Sequence, residues 1–483
     1  MLTKHSIIYF LGRGMPGLIN FLALSIYTRL VLPEEYGSYA LIVATVNLFN
    51  AVLFQWIRLV LLRYTPTCTS EDDKRQLNTT VLAGYLGSIL LSAVLIGLFL
   101  YISGQKIPIS YISLGVGLLF VQAFFEIGLD YYRSNLQPKQ YSFAHFLKAT
   151  LAIGLSSALA YFGYGATGLL LGLLIASFAA IAFYFKSFFT ELTAKTGSFD
   201  SRAIRTHLTY GVPLTASSAL TFIMDSSDRY LVKHFLGTAS TGTYSVGYDL
   251  AKQTLWVIMI SISLASYPLV IRALEHEGPA AANKHLKSNL ILLLAISLPT
   301  AIGMAALAPQ IAFVLVGEKY ADTVAMLIPY IAIGAVLSGI KSFYLDQSFQ
   351  LAQKTRLQLW SVGVAAFINV ALNLLLLPRI GLMGAAYATL ISYGAVLLLS
   401  YMLSLRAYKL PIPWEEILKI LTASILMGAV ILLFRSYGSG LWGLLFLTLL
   451  GGILYGSLLI AFKVISISFV TNQLKLKSKK NYA

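Results

Sequence analysis

The sequence of 483 residues contains one cysteine, six histidines and few charged side chains. A single cysteine, Cys68, cannot form an intramolecular disulfide, and the scattered histidines lack the ligand spacing of a zinc site. Lys, Arg, Asp and Glu together make up 35 + 19 = 54 residues, or 11% of the chain, whereas soluble domains contain about a quarter. With 58% hydrophobic residues, this composition excludes an ordinary soluble protein. No motif predicts a bound metal or cofactor.

The hydrophobic residues are arranged in long runs. About 280 apolar side chains, at about 20 for each membrane-spanning helix, suffice for roughly fourteen spans. Backbone polar groups inside a bilayer must be satisfied within their own segment, which favours α-helices. The sequence therefore predicts an all-α polytopic membrane protein. The predicted spans are 5–32, 39–63, 79–102, 109–132, 142–162, 167–189, 209–236, 243–273, 286–307, 324–349, 357–377, 383–405, 414–434 and 441–465.

The longest polar interruption between spans, at 190–207, divides the chain into two halves. We predict an N-terminal six-helix lobe at 1–190 and a C-terminal six-helix lobe at 208–408. Residues 409–483 are predicted to form two additional helices and a basic cytoplasmic tail. The first span is interpreted as a retained helix, because no small-residue cleavage site follows it.

The distribution of Lys and Arg between alternate loops predicts the orientation. With the N-terminus in the cytoplasm, about 22 basic residues lie in inside segments and six in outside segments. Cytoplasmic loops carry an excess of Lys and Arg. This bias therefore favours an even number of spans across the cell membrane, with both termini on the cytoplasmic side. Most of the net charge of +16 is thus explained by topology rather than by nucleic-acid binding, which is not predicted.

Three short matches in the same order indicate that the two halves are repeats. Six helices separate the copies, an even number, which predicts parallel repeats related by an axis along the membrane normal. The matches are Gly37 and Tyr39 with Gly242 and Tyr244 (offset 242 − 37 = 205), Leu136-Gln-Pro-Lys139 with Leu351-Ala-Gln-Lys354 (offset 215), and Gly165-Ala-Thr-Gly168 with Gly381-Leu-Met-Gly384 (offset 216).

The segment Gly12-Arg13-Gly14-Met15-Pro16-Gly17 matches the residue pattern of the dinucleotide-binding fingerprint but not its structural context. That fingerprint requires a preceding strand and a following helix in a βαβ unit, whereas this match lies inside a predicted membrane span. Gly and Pro instead loosen a membrane helix and let it bend, with Arg13 at the bend.

Charged residues inside the spans are the candidates for function, because each costs about 2.5–3.5 kcal/mol at the centre of a membrane helix. Several can pair within their own helix, namely Asp225 with Arg229 and Asp249 with Lys252, and simple neutralisation explains those pairs equally well. The charged residues are Arg13, Arg58, Glu126, Asp130, Lys148, Asp225, Asp228, Arg229, Asp249, Lys252, Lys341 and Asp346, and the basic candidates also include Lys419.

Three of these cations, Arg13, Arg58 and Lys341, have no acidic neighbour at helical spacing, which favours them for binding an anion in a cavity. Glu126 and Asp130 lie one turn apart, where two carboxylates could hold a proton or Na⁺. A salt bridge between Asp130 and Arg133 at the membrane edge explains Asp130 equally well.

The chain resembles the polysaccharide flippases, of the O-antigen and exopolysaccharide type, in the multidrug/oligosaccharidyl-lipid/polysaccharide (MOP) exporter superfamily. The resemblance covers nearly the whole chain. It depends on the fourteen-span layout, on Gly12-Arg13-Gly14, on the turn from Leu32 to Tyr39 and on Gly381-Leu-Met-Gly384-Ala-Ala.

The resemblance implies a MOP/MATE-like fold and a flippase that moves a polyprenyl-pyrophosphate-linked oligosaccharide to the outer leaflet by alternating access. It also implies that the last two spans help to hold the lipid tail, and that polysaccharide polymerases and other glycan-assembly proteins are partners. We expect fixed cations to bind the pyrophosphate and carboxylates to couple transport to an ion. The expected substrate-binding residues are Arg13, Arg58, Arg229, Lys252 and Lys341, and the expected ion-coupling residues are Glu126 and Asp130.

Two other functions fit parts of the sequence. A cation-coupled drug exporter of the same superfamily shares the two lobes, but such exporters usually stop at twelve spans and favour acidic cavities. A membrane polysaccharide polymerase or acyltransferase would need a catalytic acid/base constellation, and the scattered histidines give none. We therefore predict that the chain is a transporter and not an enzyme.

Overall fold

The computed structural model of the chain describes residues 17, 19–103, 108–194, 197, 200–438 and 440–464. Regular structure in this part of the chain is helical throughout, and eleven segments of it are long and apolar enough to cross a membrane. The predicted all-α, multi-pass membrane fold is thus confirmed. The helices are α1 (19–30), α2 (Pro33–Phe49), α3 (Gln55–Tyr64), α4 (Glu71–Ser103), α5 (Ile109–Ser134), α6 (Pro138–Leu159), α7 (Gly165–Tyr184), α8 (Lys186–Ala194), α9 (Ser201–His276), α10 (Pro279–Ala306), α11 (Ala308–Leu315), α12 (Glu318–Ile340), α13 (Asp346–Leu351), α14 (Thr355–Ile380), α15 (Leu382–Ser404), α16 (Trp414–Phe434) and α17 (Gly440–Ala461).

Two of the eleven membrane segments, Pro138–Tyr184 and Ala219–His276, each contain two predicted spans. The backbone breaks at Gly163 (φ 88°) in the first and at Gly237 (φ 85°) in the second, a conformation that favours glycine. The eleven segments thereby account for thirteen predicted spans. The first predicted span, 5–32, lies only partly within the described residues, so the total of fourteen stays a prediction.

A short contact shows that α9 reverses direction at Gly237. The hydroxyl of Tyr244 donates a hydrogen bond of 2.8 Å to Oδ2 of Asp228, sixteen residues earlier. A continuous helix would separate those residues by about 24 Å, at 1.5 Å per residue. The two legs of α9, 201–236 and 238–276, are therefore a helical hairpin.

The helices form two compact units, each with its own apolar core. One unit combines 1–245 with 369–382, and its core includes Phe54, Ile57 and Phe125. The other combines 246–368 with 383–483, and its core includes Met259, Leu293 and Met427. Many large apolar side chains remain on the outside, as expected of helices whose solvent is lipid.

The first pair of matched repeat segments meets in the structure at two glycines. A Cβ atom on Gly37 would overlap the carbonyl oxygen of Thr238 and lie 2.9 Å from the amide nitrogen of Gly242. In the reverse direction, a Cβ atom on Gly242 would overlap the carbonyl oxygen of Pro33 and lie 2.9 Å from the amide nitrogen of Gly37. Since Pro33 aligns with Thr238 as Gly37 aligns with Gly242, the contact is reciprocal, like that across a two-fold axis.

Backbone conformation also tests the other two matches. Gly165 (φ 50°) and Gly381 (φ 62°) share the left-handed region before corresponding helices, in agreement with their offset of 216. The match of Leu136 with Leu351 is wrong by two residues. Leu136 (φ 54°) corresponds to Gln353 (φ 55°), because each is followed by an amide that bonds to a carbonyl five residues back. These bonds join Gln137 to Tyr132 at 2.9 Å and Lys354 to Phe349 at 2.8 Å.

We expect Gly37→Ala to destabilise the protein, because the new methyl group overlaps a backbone carbonyl that moves only with its helix. The expected loss is about 1–3 kcal/mol in the free energy of unfolding, measured by unfolding in detergent. Gly363→Ala is the matched control, since a Cβ atom there meets nothing within 4 Å. Equal stability of the two variants would show that the glycine contact does not exist.

Candidate functional site

Arg58 lies between two carboxylates of a neighbouring helix. Its Nε donates to Oδ2 of Asp130 at 2.7 Å, and its Nη2 lies 3.2 Å from Oε2 of Glu126. Gln55, one turn earlier on α3, accepts a bond of 3.2 Å from Nη1. The structure thus joins a predicted anion-binding residue to both predicted ion-coupling residues. Sequence spacing within one helix could not reveal this pairing.

The side chains of Arg58, Glu126 and Asp130, which we call the Arg58 group, differ in their exposure to solvent. The side chains of Arg58 and Glu126 are 24% and 23% exposed, whereas that of Asp130 is 4% exposed. Lys148 lies close enough to Glu126 to interact with it electrostatically, and its Nζ is 4.6 Å from the centre of the Phe125 ring. In this conformation Arg58 already has two carboxylate partners. Binding of a phosphate by Arg58 would require exchange of at least one of them.

Lys341 has an acidic partner five residues along the chain. Its Nζ lies 2.9 Å from Oδ2 of Asp346, which also accepts a bond of 3.0 Å from Gln358, and both charged side chains are buried. Residues Lys341–Leu345 form a π-helical turn, in which residues i and i+5 are neighbours. Spacing rules for a regular α-helix, which consider i+3 and i+4, therefore do not find this pair.

Lys252 lies among aromatic side chains. Its Nζ donates bonds of 2.7 Å to the hydroxyl of Tyr248 and 3.0 Å to that of Tyr393, and the residue is 8% exposed. The same nitrogen is 5.0–5.8 Å from the ring centres of Tyr248, Trp256 and Tyr393. We call these four residues the cation–aromatic cluster. Two hydroxyl groups and a fixed positive charge suit a phosphorylated ligand, and the ring faces suit the C–H surfaces of a sugar.

The remaining predicted cations are placed as follows. Arg229 is half-buried on the first leg of α9, beside the buried Asp228. Lys419 is paired at the surface with Glu415. Arg13 lies outside the described residues.

One buried polar cluster was missed as a site by the sequence analysis. Asp228 is 1% exposed, and it accepts bonds from Tyr244 at 2.8 Å and from Nδ2 of Asn373 at 2.7 Å. Oδ1 of Asn369 accepts bonds from Ser227 at 3.1 Å and from Asn373 at 3.3 Å. The available signal was the spacing of Asn369 and Asn373, two amide side chains at i and i+4 inside an apolar span.

This Asp228 cluster has the donor set of a cation or proton site. The oxygen Oδ1 of Asn373 is buried without a hydrogen-bond partner. One carboxylate and two amide oxygens are hard ligands of the kind preferred by small hard cations. A buried carboxylate inside a membrane segment is also a typical proton carrier.

Comparison with known proteins agrees with this architecture. The sequence profile of a family described as "Polysaccharide biosynthesis protein" matches residues 26–325, which is more than half of the chain. The probable lipid II flippase MurJ of Thermotoga maritima is 28% identical over 255 residues. That alignment covers 51% of this chain and 50% of the relative, so the chain aligns with only half of that protein's length.

Solved structures extend the similarity to nearly the whole chain. A lipid II flippase MurJ in an inward closed conformation superposes with a TM-score of 0.77 at 16% identity, covering 94% of this chain and 98% of that chain. An inward-facing MATE multidrug resistance transporter of the MOP superfamily superposes with a TM-score of 0.61 at 13% identity, covering 82% and 98%. The predicted MOP/MATE-like fold is confirmed.

We expect Arg58→Gln to destabilise the protein strongly, because it removes the closest cation of the buried Asp130 carboxylate. The expected loss is about 3–5 kcal/mol in the free energy of unfolding, measured by denaturant unfolding in detergent. The double variant with Asp130→Asn should lose less than the sum of the two single variants. The exposed pair Glu71–Lys74, at 3.0 Å, is the control, with an expected coupling of about 0.5 kcal/mol or less. Additive losses at Arg58 and Asp130 would contradict the pairing.

Proposed function

This chain belongs to the polysaccharide biosynthesis protein family, and from that membership we propose that it is a flippase for a lipid-linked oligosaccharide. In this proposal a polyprenyl-pyrophosphate-linked glycan moves from the cytoplasmic to the outer leaflet for cell-surface polysaccharide synthesis. The chain would lie in the cell membrane with both termini in the cytoplasm. The named relatives are a flippase and a transporter, in agreement with the prediction that the chain is not an enzyme.

The observation that carries the proposal is a buried cation–aromatic cluster inside a fold shared with a lipid II flippase. A pyrophosphate needs fixed positive charge in a low-dielectric environment, and the buried ammonium group of Lys252 supplies such a charge next to rings that can pack against sugars. Arg13, Arg58, Arg229 and Lys341 are the other proposed pyrophosphate ligands.

The membrane potential supplies part of the driving force in this scheme. Moving about two negative charges outward across an inside-negative potential of 100 mV releases roughly 4–5 kcal/mol. Ion binding would then return the carrier to its inward-facing state. The proposed ion sites are Glu126 with Asp130, which share Arg58, and the Asp228 cluster.

We expect Lys252→Gln to reduce flipping at least about tenfold while the protein still inserts in the membrane, because one charge-assisted phosphate contact is lost. Flipping of a fluorescent polyprenyl-pyrophosphate oligosaccharide is measured in proteoliposomes. Arg13→Gln and Lys341→Gln are expected to abolish flipping. Lys74→Gln, at an exposed surface position, is the control and should flip normally. Normal flipping by Lys252→Gln, or ion flux stimulated by cationic drugs with no glycan flipping, would overturn the proposal.

Two further variants separate the proposed ion sites. Asp228→Asn removes the negative charge of its cluster and keeps the volume, so flipping should lose its dependence on Na⁺ or on a pH gradient. The measurement is the flipping rate with and without each imposed gradient. Glu126→Gln is the comparison at the other site. An unchanged gradient dependence in Asp228→Asn, together with its loss in Glu126→Gln, would assign coupling to the Arg58 group instead.

A further inference from the structure

A basic pocket lies where α13 passes into α14, next to the end of α15. It is an open depression with a volume of about 560 Å³. Its lining shares no residue with the Asp228, Arg58 and Lys252 groups. The lining residues are Gln353, Lys354, Arg356, Leu357, Leu403 and Arg406.

The pocket has the charge of an anion site. Its lining carries three positive side chains and no negative one. Nζ of Lys354 donates a bond of 3.0 Å to the carbonyl oxygen of Arg406, which ties the two connecting segments together. Arg356 and Arg406 are exposed. The pocket also lies at the start of the 26-residue α14, where the helix dipole attracts negative charge.

An apolar stripe continues from the pocket along the same two helices. On α14 the stripe consists of Trp360, Val364 and Phe367, at i, i+4 and i+7, and their exposed fractions are 71%, 37% and 75%. On α15 and directly after its last residue, it consists of Leu398, Met402 and Leu405, which are 66%, 65% and 48% exposed. These faces are available to lipid tails.

The length of the stripe matches one leaflet of a bilayer. Eleven residues separate Arg356 from Phe367, or about 16 Å of helix at 1.5 Å per residue. Half of a hydrocarbon core about 30 Å thick is about 15 Å. A phosphate in the pocket would thus sit at headgroup depth while the attached acyl chains run along the stripe.

We propose that this pocket binds the phosphate of an anionic phospholipid, with the acyl chains of that lipid on the stripe of α14 and α15. Arg356 and Arg406 contact the phosphate oxygens, for which the planar guanidinium group is suited. Leu357 and Leu403 form the apolar wall between headgroup and tails. A free phosphate compound would use the cations but not the stripe. The proposal does not depend on which substrate the protein transports.

The test compares lipid binding by the purified full-length protein and a pocket variant. Native mass spectrometry counts bound phosphatidylglycerol, with phosphatidylcholine of the same acyl chains as the neutral lipid. Arg356→Gln/Arg406→Gln should weaken phosphatidylglycerol binding about tenfold or more and leave phosphatidylcholine unchanged. Arg202→Gln/Arg205→Gln removes two exposed charges elsewhere and should change neither. Equal binding by the wild type and the pocket variant, or an equal loss in the control, would overturn the proposal.

A second experiment distinguishes a bound lipid from a bound soluble phosphate. Trp360→Ala/Phe367→Ala keeps all three cations and should weaken phosphatidylglycerol binding, whereas inorganic phosphate at millimolar concentration should not displace the lipid. Displacement by inorganic phosphate, with full binding by the stripe variant, would assign the pocket to a soluble anion and refute the lipid. If the double pocket variant does not fold, Arg356→Gln and Arg406→Gln are measured singly, with an expected loss of about threefold each.

Discussion

The cost of a charge in the hydrocarbon region of a bilayer determines how this protein is built. At about 2.5–3.5 kcal/mol for each charged residue, a helix with an unpartnered charge inserts poorly, so the charges must find partners when the helices pack. Arg58 receives two carboxylates from α5, Lys341 receives Asp346, and Asp228 receives a tyrosine and an asparagine. These partners fix the angular position of several helices at once. The buried polar groups therefore also specify the packing.

Irregular helical turns lie beside two of these partnerships. A π-helical turn at Lys341–Leu345 brings Lys341 next to Asp346, and a second π-helical turn at Asn50–Phe54 immediately precedes the helix that carries Gln55 and Arg58. Such turns often mark functional positions, because a regular helix would place the side chains elsewhere. In the second case the turn lies between the helix that makes the glycine contact and the helix that binds the carboxylates.

The sequence was sufficient to predict most of the fold, because long apolar runs and loop charges act locally. Thirteen predicted spans coincide with helical membrane segments, and the glycines of the repeat were found by simple alignment. The site was less predictable, since its contacts join helices far apart in sequence. Arg58 and Asp130 are 72 residues apart, and Asp228 and Asn373 are 145 apart. Leu136 was aligned two residues away from its structural counterpart, because residue types matched at positions where the backbone conformations did not.

The reciprocal glycine contact joins the matched backbone segments of the two predicted repeats. Backbone atoms of Pro33 and Gly37 meet backbone atoms of Thr238 and Gly242, so the contact involves no side chain that must change rotamer when it forms or separates. A contact of this kind is close, and its partners are equivalent in the two repeats. A rotation about the axis between them would move both by the same amount. A side chain at Gly37 or at Gly242 would push the two segments apart. Because the contact is reciprocal, both positions favour glycine.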